Sequence, residues 1–156
     1  MRATVANIQD YVEKHKRFKI SNMHRSSGLR RRSFNIAMNV CFGLGLCRKD
    51  TPSYIQWNDF DGLYYRTLWI HHVCWDCLCD PIKNTMERLT VAILYLLERE
   101  FTHNCYWKVS KLIQKLHKWN CKFDSRRVYD VVNVMTELGV LDKDGKYYRY
   151  ISAVKK

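Results

Sequence analysis

The sequence predicts an α+β, mostly helical protein in which two three-helix units are each closed by a β-hairpin. Three observations carry this expectation. The C-terminal third holds apolar residues at helical spacing, a two-residue hairpin signal follows them, and the same pattern repeats without a gap in the first half. A chain of 156 residues has room for two small domains. Its hydrophobic fraction of 47% can supply packed cores.

In the C-terminal third, Thr85 is expected to cap an apolar helix running to about Phe101, with Leu89, Ala92, Ile93, Leu96 and Leu97 inward and Glu87 near its positive end. A second helix spans about Tyr106 to His117. Its stripe is Val109, Leu112, Ile113 and Leu116, and Lys108, Lys111, Lys115 and Lys118 cover the outside. A third helix begins after Asp124 or Ser125 as N-cap and ends at Gly139, a C-cap glycine. Its core positions are Val128, Val131, Val132, Met135 and Leu138. At roughly 100° per residue, Arg126, Tyr129, Asp130 and Asn133 then point the other way. Asp144-Gly145 marks a hairpin between Val140-Leu-Asp-Lys and Lys146-Tyr-Tyr-Arg-Tyr-Ile. Three helices and a hairpin make a winged helix-turn-helix, whose third helix enters the DNA major groove while the wing lies along the backbone.

The repeat aligns Asn39-Val-Cys-Phe-Gly-Leu-Gly-Leu-Cys-Arg-Lys with Asn133-Val-Met-Thr-Glu-Leu-Gly-Val-Leu-Asp-Lys. Phe34, Ala37, Met38, Cys41 and Leu44 then fall on the core positions of the third helix, and Tyr54 to Trp57 reads as a strand. Thr4 to Glu13 and Phe18 to Arg25 supply two short helices upstream. The expected organisation is tandem winged helices: residues 1–60 as a degenerate first domain, 61–82 as an aromatic and Cys-rich connector, and 83–156 as the DNA-binding domain.

The formal net charge of +12 calls for a polyanion, nucleic acid or an anionic membrane. No membrane role is expected. The apolar run from Thr90 to Leu97 is too short to span a bilayer, and residues 63–79 are interrupted by Arg66, His71, His72 and Asp76. The N-terminus lacks a signal-peptide layout, and seven cysteines, an odd number, fit a reducing compartment. Basic clusters at Lys14 to Lys19 and Arg30 to Arg32 suit nuclear import. Arginine and asparagine make bidentate contacts to guanine and adenine edges, so Arg126, Arg127 and Asn133 are the candidate base readers. Backbone contacts are expected from Lys118, Lys122, Lys143, Lys146 and Arg149, and from Arg30, Arg31 and Arg32 in the first unit, where Asn39 is a further DNA-binding candidate.

Arg126-Arg-Val-Tyr-Asp130 followed by Asn133-Val134 resembles the recognition motif of the E-two-F/DP family of winged-helix transcription factors. The resemblance runs from about Lys83 to Ile151. With the looser match of the first half it is similar to the atypical branch, whose two domains imitate a heterodimer. The resemblance implies that Arg126 and Arg127 read guanines in a GC-rich core while Tyr129 and Asp130 orient them and approach the phosphates. Buttressing an arginine suits an aspartate better than touching a phosphate does. It further implies a nuclear regulator of RNA polymerase II cell-cycle genes, monomeric on duplex DNA, although a DP-like partner is compatible with it. The first repeat departs from the motif: aligned on Asn39, the arginine pair falls on Arg32 and Ser33. The sequence carries no recognisable dimerisation or activation segment after the wing, which favours repression by occupancy.

Other chemistry is weaker. His71, His72, Cys74, Cys77 and Cys79 invite a zinc reading, but no second ligand pair from a separate segment accompanies them, so neither metal nor cofactor is expected. There is no nucleophile elbow or phosphate loop, so an enzyme is not expected. The alternative is a winged-helix protein-interaction scaffold that binds nucleic acid only non-specifically; structured RNA is a further rival, disfavoured because its narrow major groove excludes a helix.

Overall fold

In the computed structural model, residues 2–78, 84–101, 105–119 and 123–151 are described. The first half supplies α1 (Arg2–Lys14), β1 (Arg17–Lys19), α2 (Ile20–Ser27), α3 (Arg31–Leu44), β2 (Cys47–Lys49), β3 (Tyr54–Trp57), α4 (Asp59–His72) and α5 (Trp75–Leu78). The C-terminal elements are α6 (Thr85–Arg99), α7 (Val109–Lys118), α8 (Ser125–Glu137), β4 (Leu141–Asp144) and β5 (Tyr147–Tyr150). The protein is mostly helical with two small antiparallel sheets.

The winged-helix elements expected in the C-terminal third are present, with three shifts. Asn84, one residue before the expected Thr85, caps α6, its side chain accepting from the Glu87 N–H at 3.0 Å. The second helix starts at Val109 and not at Tyr106, because Trp107 exchanges both backbone hydrogen bonds with Tyr148, each 2.8 Å, and extends the wing sheet. The hairpin turn is Gly145-Lys146, since Asp144 already pairs with Tyr147; Gly145 takes the positive φ of 62°.

The first half has the same order of elements. Its sheet runs β1-β3-β2, with Phe18 opposite Ile55 and Arg48 opposite Gln56. The expected helix from Phe18 therefore begins only at Ile20. Phe18 alternates inward between exposed Arg17 and Lys19, as a strand requires. The helix ends of the repeat coincide. Gly45 (φ 80°) bonds to the Phe42 carbonyl and Leu46 to that of Cys41; Gly139 (φ 84°) bonds to Thr136 and Val140 to Met135. Both are left-handed glycine caps that satisfy orphan carbonyls and turn the chain into the hairpin.

The joint between the halves is α6. Besides the five inward residues expected, Thr90, Val91, Leu94 and Tyr95 are buried, so the helix is apolar on every side. One side faces α7 and α8, and the other is covered by α3 and α4. The core is consequently one continuous cluster through both halves. Gly43 makes this crossing possible: a Cβ there would stand 2.6 Å from Thr90 Cβ and 2.9 Å from the Glu87 carbonyl oxygen. Thr90 hides its hydroxyl by donating to the Met86 carbonyl at 2.9 Å.

The connector is helical. Leu63, Thr67 and Ile70 form the buried stripe of α4, whereas Tyr64 and Tyr65 face solvent. Gly62 lies against the α3 cap so closely that a Cβ would meet the Gly45 carbonyl oxygen. Arg66 donates to the Phe42 carbonyl at 3.1 Å, and Arg99 to the carbonyls of Ile70 and His71 at 3.3 Å. Glu98, almost wholly buried, accepts from the Tyr150 hydroxyl and meets His71 Nε2 at 2.6 Å, tying α4, α6 and the wing together.

Gly43→Ala should lower stability by about 1–3 kcal/mol through overpacking, despite a helix-propensity gain of about 1 kcal/mol. Urea unfolding would show this as a lower midpoint at unchanged slope. A raised midpoint would mean that the α3–α6 crossing is looser than described.

Candidate nucleic-acid interface

The third helix of the second unit is positioned from its first residue. Asp124 caps α8, its carboxylate accepting the Arg126 N–H at 3.1 Å. The expected core stripe of Val128, Val131, Val132, Met135 and Leu138 is buried without exception. That fixes the rotation of the helix, leaving Arg126 and Arg127 exposed, Tyr129 47% exposed, and Asp130 and Asn133 half-buried. Among the described residues neither arginine has an intramolecular ion pair, and the Asp130 carboxylate is not bonded to either. Both guanidinium groups keep their donors available.

Arg30 caps α3 in extended conformation, and Arg30, Arg31 and Arg32 are all exposed. Asn39 is half-buried. On the ungapped alignment Arg32, Asn35 and Asn39 take the places of Arg126, Tyr129 and Asn133, so the same face of α3 is presented, with asparagine where α8 has tyrosine.

The two helices meet. α3 packs against α8, and each also contacts the first helix of the other half: α3 meets α6, and α8 meets α1. Val40 and Val134 lie off their own core stripes, yet each is fully buried. Both lie on helices that pack across the joint, α3 on α6 and α8, and α8 on α1.

Beside α8, Lys108, Ser110, Tyr129, Lys143, Lys146 and Tyr148 line a crevice of about 290 Å³. It brings the expected Tyr129, Lys143 and Lys146 together and adds Lys108, which the sequence placed only on an outer helix face. Lys108 reaches this position because the Trp107–Tyr148 bridge pulls the start of α7 against the wing. Lys143 Nζ sits 5.5 Å from the Tyr148 ring centre and Lys108 Nζ 5.4 Å from that of Tyr147. Arg149, also expected at the backbone, pairs with Asp142 at 2.6 Å and lies over the Tyr106 ring. Lys122 falls outside the described residues.

Of the connector's histidines and cysteines, Cys74 and Cys77 lie one helical turn apart. His71 is bonded to Glu98, and among the described residues no group of three or more His, Cys, Asp or Glu converges on a point. Cys79 lies outside the described residues. No helix is long and apolar enough to cross a membrane among the described residues.

Residues 82–152 match the model of the E-two-F/DP family winged-helix DNA-binding domain. This stretch is nearly coextensive with α6 through β5, and the match supports duplex DNA binding and transcription regulation for the C-terminal half. Comparisons with curated proteins and with solved structures give no match.

Asp124→Ala removes the cap that seats Arg126 and should cost about 0.5–2 kcal/mol of stability. Asp124→Asn should retain most of it. Denaturant midpoints of the three proteins would check this, and equal midpoints would show that α8 is positioned by packing alone.

Proposed function

We propose that this protein is a sequence-specific duplex-DNA-binding transcription regulator that uses two winged helices joined in one chain. The observation that carries the reading is the outward face of α8: two arginines free of intramolecular ion pairs and Asn133, flanked by a lysine-lined crevice at the wing. Arg126 and Asn133 share the face and read base edges; Arg127 flanks it. Lys108, Lys143 and Lys146 hold the phosphates, and Tyr129 closes the crevice between them. Asp130 swings to an arginine when DNA is bound, restraining its guanidinium in the plane of the guanine.

The reciprocal packing of α3 and α8 supports a second reading head beside the first. Arg30, Arg31 and Arg32 hold the backbone there, with Arg32 and Asn39 able to reach bases. Because Ser33 and Asn35 replace Arg127 and Tyr129, the two half-sites differ and the element is asymmetric. A GC-rich core, cell-cycle targets and a nuclear location accord with the motif Arg126-Arg-Val-Tyr-Asp130 and the charge of +12. Two heads in one chain make a monomer sufficient on DNA.

A protein-interaction scaffold is the competing reading, favoured by the exposed Tyr64, Tyr65 and Leu68 on α4. Fluorescence anisotropy on a GC-core duplex and a scrambled duplex at one fixed salt concentration separates the two. Arg126→Ala should weaken specific binding by roughly 1–3 kcal/mol at one base position and leave scrambled DNA nearly unaffected. Lys143→Ala should instead weaken both duplexes and reduce the slope of log affinity against log salt by about 0.9. Equal affinity for the two duplexes would overturn sequence-specific readout and leave the scaffold.

A further inference from the structure

Cys74 and Cys77 lie in the joint between the two halves, away from the groove-facing side chains of α8. Cys74 immediately precedes the short helix α5 and Cys77 is its third residue; both are exposed. The Cys77 thiol hydrogen-bonds to the Cys74 sulfur, so the two sulfurs are already within reach of each other. The backbone N–H groups of Cys77 and Asp76 also point at Cys74. The thiol bond from Cys77, followed by these backbone bonds, holds the Cys74 thiol below its ordinary range. Thiolate character together with exposure is what makes a cysteine reactive.

The support around the pair is rigid. Trp75, between the two cysteines, donates its indole N–H to the Trp119 carbonyl at 2.9 Å and packs at a steep tilt against Tyr95 and Trp119 with ring centres 5.2 Å away. Leu78 is fully buried. The Cys77 N–H donates to the Cys74 carbonyl at 3.2 Å, closing one helical turn that sets the two cysteines side by side. Other cysteines contrast with this pair. Cys41 and Cys47 are buried, and burial pushes the Cys41 thiol up to about 12 and raises that of Cys47 as well.

We propose that Cys74 and Cys77 form a thiol–disulfide exchange site that reacts reversibly with low-molecular-weight disulfides. The Cys74 thiolate attacks one sulfur of the small disulfide, forming a Cys74 mixed disulfide and expelling one small thiolate. The Cys77 thiolate then attacks the Cys74 sulfur, forming the Cys74–Cys77 bond and expelling the second. Two electrons pass from the cysteines to the small disulfide, and the two thiol protons end on its two reduced halves. Because Trp75 sits within the ring so formed and touches Trp119, the redox state is reported by tryptophan emission.

The test uses the whole chain, reduced and then incubated with glutathione disulfide, followed by alkylation and peptide mapping by mass spectrometry. The expected product is an intramolecular Cys74–Cys77 disulfide without retained glutathione, fully reversed by dithiothreitol and accompanied by quenched emission. Cys77→Ser should lose that product and trap one glutathione on Cys74; Cys74→Ser should lose both. Preferential oxidation of Cys105, a stable glutathione adduct on Cys74 of the unmodified chain, or pairing of Cys74 with another cysteine would each overturn the proposal. So would one zinc ion retained by the reduced chain and released when the Cys74 and Cys77 thiols are blocked.

Discussion

The architecture depends on how closely α3 approaches α6. Gly43 carries no side chain where Thr90 and the Glu87 carbonyl need the space, and that absence lets one helix serve two cores. Once α3 is seated there, it also reaches α8, and α8 in turn reaches α1. The relative position of the two outward faces is therefore fixed by packing and not by a linker. Gly62 against the Gly45 cap and Glu98 between His71 and Tyr150 secure the same joint from its other edges. In the repeat alignment Gly43 corresponds to Glu137, so the position that closes the joint is one where the two copies diverge.

The sites also show where stability is sacrificed. Neither α3 nor α8 has an acidic residue in its first turn, and both put arginines there, against the positive end of the helix dipole. Each such cation costs a few tenths of a kcal/mol to about 1 kcal/mol when nothing neutralises it. Asp124 at the N-cap offsets part of this in α8; α3 has Arg30 at the corresponding place and no side-chain cap bond. Local choices that contradict helix chemistry in this way are expected where an anionic ligand supplies the missing charge.

Much of this was legible in the sequence wherever a full helical period operates. The stripe from Val128 to Leu138 fixed both the core and the outward face of α8, and the Leu-Gly landmark located two helix ends with the same capping bonds. Strands of one to three residues left no such trace. Phe18 and Trp107 were assigned to helices because a single inward aromatic has no period; only pairing with Ile55 and Tyr148 reveals a strand. The second face of α6 was hidden for a different reason: its burial depends on α3 and α4, which lie far from it along the chain. Lys108 was missed at the crevice because its place there follows from the Trp107 bridge. The Arg149–Asp142 pair was not legible because Asp142 becomes a neighbour of Arg149 only across the hairpin.

A helix that belongs to two cores has a further consequence for how the molecule comes apart. Val91, Leu94 and Tyr95 are buried beyond the expected stripe of Leu89, Ile93 and Leu96, and the Tyr95 ring meets both Trp75 and Trp119. Neither half can open without stripping a face of α6 and exposing contiguous apolar surface to water. The chain therefore melts as one cooperative unit, although its sequence reads as two copies of a module. A lesion in α6 therefore disables both ends of the molecule at once.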